Sequence, residues 1–122
     1  MILRRDSSPQ GAHRLLWQRL LQLDDYILDT LMADLVGHDR QPSAFIVFLC
    51  LWRATHGDRQ ATVQIALQDI AERTGLSKRS VQSALAWLVK RRLVAIARES
   101  ITAVPVYTVM RPWQSKVKSE KF

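Results

Sequence analysis

The sequence predicts a mainly α-helical chain that closes on a small β-hairpin, an α+β fold. Three observations carry this. Apolar residues recur at threes and fours from Ala12 to Val36 and again toward Leu93, the spacing of helices that bury one face. Ala71, Gly75 and Val81 stand four and then six residues apart, with Ile70, Leu76, Ala84 and Leu85 at the apolar positions around them, as in two helices joined by a tight turn. Beyond Leu93 the period changes to two: LVAIAR and AVPVYTV are β-prone and flank the polar ESIT, the pattern of a hairpin.

Residues 1–11 read as a loose arm. Arg4 and Arg5 are able to touch a phosphate or a minor groove, although chain ends usually fray. In residues 12–41, Leu15, Leu16, Leu20, Leu23, Ile27, Leu31 and Leu35 form one buried stripe. Asp24 and Asp25 read as caps that split the stretch in two, and Gly37 as its C-terminal stop. Trp17, Leu21, Leu28 and Met32 fall away from the stripe, more apolar surface than one amphipathic helix on a small domain buries. We therefore expect this helical extension to pair with a copy of itself, as a homodimer.

Residues 42–113 read as the principal domain. After the polar HDRQP, Ser43 to Thr55 is apolar nearly all round through Phe45, Ile46, Val47, Phe48, Leu49, Leu51 and Trp52, which predicts the most buried helix. Gly57 is expected to end it. Cys50, the one cysteine, lies inside that run and reads as a buried, inert thiol. A short strand at Thr62 to Ile65 then leads into the helix pair.

Within the pair, each position has a physical reason. Ala71 is small where the second helix crosses over it, Gly75 takes the positive φ of the turn, and Leu76 fills the space between the helices. Ser77 caps the helix that begins at Lys78 and is predicted over 78–91. On a helical wheel, Val81, Ala84, Leu85 and Leu88 share one side. Arg79, Ser83, Ala86 and Lys90 share the other, flanked by Lys78, Ser80 and Gln82, and no acidic residue occurs between Leu76 and Arg98. Such a face suits the major groove of duplex DNA, where Arg pairs with guanine and Gln with adenine. Trp87 reads as packing against the hairpin, the alternative being contact with a sugar or a thymine methyl.

In the hairpin, Pro105 cannot donate a ladder hydrogen bond, so its strand is expected to turn that position to an open edge. Trp113 reads as pinned back onto the domain, with 114–122 as a basic, mobile tail. Charge is divided unevenly along the chain. Residues 1–75 hold eight arginines against nine acidic residues, whereas residues 76–122 hold ten Lys and Arg against Glu99 and Glu120. An excess of this kind attracts a polyanion.

Other classes find little support. The four glycines, at 11, 37, 57 and 75, form no phosphate-cradling loop, and His13, His38 and His56 stand far apart with no ligand spacing around them. No cofactor, metal or catalytic group is expected. No apolar run reaches the ~18 residues of a membrane span, and the N-terminus lacks the apolar core of a signal peptide, so the chain reads as cytoplasmic.

Three helices, the tight turn and the hairpin together resemble the winged helix-turn-helix family of DNA-binding proteins, over roughly residues 43 to 110. LSKRSVQSALAWLVKRRLV is similar to the recognition segment of bacterial regulators of the GntR and MarR types, through Ser77, Val81, Ala84, Leu85, Leu88, Leu93 and Val94. DDYILDTLMADL and SAFIVFLCLWRATHG also resemble the opening of winged helices in phage and plasmid replication proteins. The resemblance implies sequence-specific binding of double-stranded DNA, in transcription control or in replication or partition. Ser77, Lys78, Arg79, Ser80, Gln82 and Ser83 would approach DNA through the recognition helix, and the wing around Arg98 would touch the backbone or minor groove, while the cluster Lys90, Arg91 and Arg92 at the helix end reads as holding phosphates. Lys90, Arg91 and Arg92 also complement the helix dipole. A winged helix used only for protein interaction is the rival reading.

Overall fold

A computed structural model of the chain describes residues 20–114. The expectations for the arm at Arg4 and Arg5, for Leu15 to Trp17 and for the basic tail lie outside the described residues. The architecture is mixed α+β, with helices packed on a three-stranded antiparallel sheet.

The first helix, α1, covers residues 25–38 and contains two π-helical runs, Ile27–Leu31 and Ala33–His38. Its buried residues Ile27, Leu31 and Leu35 are spaced by four. Spacing by four places them on one side of the helix. Asp24 stands at the start of α1, where its carbonyl accepts the Ile27 N–H at 2.9 Å. Its carboxylate does not cap the helix, contrary to the sequence expectation, and instead binds Arg111 and Trp113, at the far end of the described chain. Gly37 does not stop the helix either. The winding continues through His38, and the left-handed residue that turns the chain is Arg40, at φ 55°.

Helix α2, Pro42–Ala54, opens on a proline whose missing N–H costs nothing in the first turn. It buries Ala44, Phe45, Val47, Phe48, Leu51 and Trp52, with Ile46 left exposed. Its end is set by Thr55 rather than by Gly57: the buried Thr55 hydroxyl donates to the Leu51 carbonyl at 2.8 Å. Gly57 sits inside a 3-10 turn, His56–Asp58, closed by the left-handed Arg59.

Strand β1, Thr62–Gln64, leads into α3, Leu67–Thr74. Gly75 follows at φ 78°, its N–H bonded to the Ala71 carbonyl at 2.9 Å. Helix α4, Lys78–Lys90, starts at Ser77, whose hydroxyl accepts the Ser80 N–H at 3.1 Å. It ends in a Schellman arrangement: Arg92 N–H reaches the Val89 carbonyl and Leu93 N–H the Leu88 carbonyl, with Leu93 and Leu88 both buried. The left-handed C′ position there is Arg92, at φ 60°, where glycine is usual.

Strands β2, Val94–Ala97, and β3, Val106–Val109, pair antiparallel, and β1 pairs with the other side of β3. The order β1-β3-β2 makes β3 the central strand, which corrects the expectation of an open edge at Pro105. Pro105 precedes the ladder instead, buried, and its carbonyl accepts the Ile65 N–H at 3.3 Å. The hairpin connection is also longer than the tight turn expected, running over residues 98–105.

One apolar cluster joins these elements. It takes in Ile27, Leu31 and Leu35 of α1 together with the α2 residues, Ile70, Val81, Leu85, Leu88, Tyr107, Val109 and Trp113. Trp113 stacks on Tyr26 at 4.9 Å, so it is held on the domain as expected. No helix among the described residues is long and apolar enough to cross a membrane.

Candidate nucleic-acid interface

The helix α4 presents two faces that match its wheel. Val81, Ala84, Leu85 and Leu88 are buried, while Lys78, Arg79, Gln82, Ser83, Ala86 and Lys90 are exposed. Ser80 is half-buried, and the Ser77 hydroxyl donates to its oxygen at 3.1 Å, so these two serines order the first turn of α4 and Gln82 and Ser83 stand free beyond it. Gln41 and Ser43, at the start of α2, join Ser77, Arg79, Ser80 and Ser83 around a shallow groove of about 300 Å³. The groove is polar and open, with Arg79 on its wall. Gln41 and Ser43 carry no local signal of this role. They reach the site only because α2 packs against α4.

At the other end of α4 the arrangement differs from the expectation. The Trp87 indole N–H donates to Asp39 Oδ2 at 2.8 Å, in the connection between α1 and α2. The Trp87 ring is half-buried against the apolar core, with its N–H turned to that connection. A half-buried indole needs a hydrogen-bond acceptor, and an anionic one is a strong choice. Lys90 Nζ lies 5.0 Å from the centroid of the same ring, a cation–π contact that leaves its charge on the exposed side. Arg91 turns inward, 3.4 Å from Asp39 Oδ2 and 4.0 Å from Asp34 Oδ2.

Asp39 itself has a side chain only 4 % exposed, and His38 Nδ1 lies 3.0 Å from its Oδ1. Burial pushes the pKa of its carboxyl up, but the hydrogen bonds from His38 and Trp87 and the Arg91 charge outweigh this, and the net shift is below the ordinary carboxylate value.

In the hairpin loop, Arg98 is exposed and donates to the Ile101 carbonyl at 3.4 Å. Ile101, 91 % exposed, forms the tip. Beyond β3, Arg111 binds Asp24 through Nε and Nη2, both at 2.9 Å. Two bases of the basic half, Arg91 and Arg111, are thus neutralised by aspartates of the acidic half. Among the described residues, Lys78, Arg79, Lys90, Arg92 and Arg98 have no acidic partner within 4 Å. Positive charge is left uncompensated along α4, whereas in the loop that follows β2 Glu99 offsets Arg98.

Elsewhere the chemistry is engaged. A hollow of about 420 Å³ lies between residues 20–22 and the turn after α2. There Arg53 pairs with Asp58 at 2.7 Å, while His56 contacts the Val109 carbonyl at 3.1 Å and packs on the Trp52 ring. Cys50 is half-buried rather than fully so, and burial raises its thiol pKa against the lowering charge of Arg73. Among the described residues, no three His, Cys, Asp or Glu side chains are grouped to hold a metal ion. Comparison with family models, curated proteins and solved structures finds no match to this chain.

Proposed function

We propose that this chain is a small, non-enzymatic winged-helix protein that binds duplex DNA, with α4 as the recognition helix in the major groove. The observation that carries the reading is the exposed face of α4. It is free of acid, begins at a serine cap, and offers Lys78, Arg79, Gln82, Ser83 and Lys90, whose cations lack acidic partners among the described residues. The element order α2, β1, α3, α4, β2, β3 and the sheet order β1-β3-β2 support it, since a three-stranded sheet behind α4 leaves that face open. Base readout falls to Arg79, Gln82 and Ser83. Phosphate contact falls to Lys78, Lys90 and Arg92, and to Arg98 in the wing.

The test is selection from a random-sequence duplex pool across a salt series. Arg79→Ala is expected to cost ~1–3 kcal/mol and to relax preference at one base position, whereas Lys90→Ala weakens binding to all sequences and shallows the salt slope by about one. If both variants bind like the parent, α4 is not the recognition helix. An enriched motif points to a sequence-specific regulator or a replication or partition protein, and salt-sensitive binding without enrichment to an architectural or accessory role. A folded protein that binds no duplex at low salt would instead be an interaction module.

The protein is proposed to act as a homodimer through α1, where Leu28, Met32 and Val36 remain exposed at spacings of four. A two-fold pair places its recognition helices about 34 Å apart, one turn of DNA. Leu28→Glu with Met32→Glu is expected to halve the mass measured by sedimentation equilibrium and to abolish preference for paired half-sites. An unchanged mass for the double variant, or a monomeric parent, removes α1 as the interface.

A further inference from the structure

We infer that Asp39 determines which basic residues of α4 are available to phosphates: it docks the C-terminal end of the helix and holds Arg91 out of the DNA-binding set. This rests on the DNA reading above. Arg91, Lys90 and Arg92 are adjacent in sequence and look equivalent, yet their surroundings differ. Lys90 lies over the Trp87 ring facing outward, and Arg92 is exposed in a left-handed backbone position. Arg91 alone is folded against carboxylates, with Asp39 at 3.4 Å and Asp34 at 4.0 Å.

Asp39 is built for this role. Its Oδ2 accepts the Trp87 indole N–H at 2.8 Å, its Oδ1 lies 3.0 Å from His38 Nδ1, and its backbone N–H bonds to the Asp34 carbonyl at 2.7 Å. The left-handed Arg40 and the bond from Gln41 N–H to the Leu35 carbonyl, 2.7 Å, fix the connection on its other side. A nearly buried carboxylate on so constrained a backbone is a permanent internal competitor for a guanidinium that would otherwise bind phosphate. Through Trp87 the same carboxylate sets the ring on which Lys90 rests. Asp39 is thus a positioning residue, acting through Trp87 and Arg91.

Counterion release makes the idea countable. Each phosphate neutralised steepens the dependence of log K on log salt by about 0.9. With a duplex bound by the parent as probe, Arg91→Ala alone is expected to leave the slope unchanged. Asp39→Asn retains an acceptor for the Trp87 indole but removes the nearer and more buried of the two charges holding Arg91, and is expected to steepen the slope by about 0.9; adding Arg91→Ala to it restores the parental slope. A merely structural Asp39 would lower the folded fraction without steepening the slope. A slope shallower by about one in Arg91→Ala overturns the inference even if Asp39→Asn does not fold, because Arg91 would already hold a phosphate. An unchanged slope in folded Asp39→Asn overturns it too. A parent with no salt-sensitive binding removes the DNA reading, and this inference with it, whereas a binding parent confines any failure to Asp39.

Discussion

Asp24→Ala is expected to lower the unfolding free energy by ~2–3 kcal/mol, measured by urea denaturation followed through tryptophan fluorescence. The Asp24 carboxylate accepts Arg111 Nε and Nη2 and the Trp113 indole N–H, all at 2.9 Å. Hydrogen bonds to a charged group contribute about 1.5–3 kcal/mol each when well shielded. Here the two ion-pair partners keep 27 % and 30 % of their side-chain surface exposed, so water recovers part of the loss and the cost falls at or below the low end of the ~3–5 kcal/mol of a broken buried pair. Truncation leaves a guanidinium and an indole N–H without their acceptor beside Tyr26, Phe48 and Trp52. Asp24→Asn keeps an acceptor for Trp113 and should recover part of the loss. A change below ~0.5 kcal/mol for Asp24→Ala would mean that apolar stacking alone holds Trp113 in place.

Leu88→Ala is the second large effect, ~2–5 kcal/mol by the same denaturation measurement. Leu88 is fully buried in the core that α4 shares with α2, and its carbonyl receives the Leu93 N–H at the helix end. Alanine there leaves a void among side chains that α1, α2 and β3 hold in place, and such a void closes only partly. For a domain whose total stability is about 5–15 kcal/mol, DNA binding should fall with the folded fraction on warming while the salt slope stays parental. The control is the next residue: Val89 is 40 % exposed, and Val89→Ala should cost well under ~1 kcal/mol. Equal effects at the two positions would mean that the buried and exposed faces of α4 have been exchanged.

The contrast between these two residues marks how far local sequence carries. Leu88 was identifiable as core because helical periodicity is a property of neighbours. The same holds for Gly75 in the turn and Ser77 at the cap, which act over three to six residues. Asp24 read as a helix cap by the same local logic, and there it failed, since its partners lie 87 and 89 residues away. Asp39, whose partner Trp87 is 48 residues distant and Arg91 52, carried no signal that either contact exists. Pro105 failed for a related reason. A two-stranded hairpin leaves β3 an open edge, and only the return of β1, registered as Val63 opposite Tyr107, makes β3 central.

By itself, then, the sequence determined the α3–turn–α4 pair, the two faces of α4, the presence of a C-terminal hairpin and the bias of positive charge toward residues 76–122. These depend on φ preferences, capping and periodicity, which act between residues close in the chain. The tertiary structure alone decided the strand order, the partners that hold Trp113, the polar groove that Gln41 and Ser43 complete, and which cations keep their charge uncompensated. Charge compensation and hydrogen-bond acceptance fall off within a few ångströms in space, without regard to separation along the chain. Only packing could therefore bring Asp39 to Arg91.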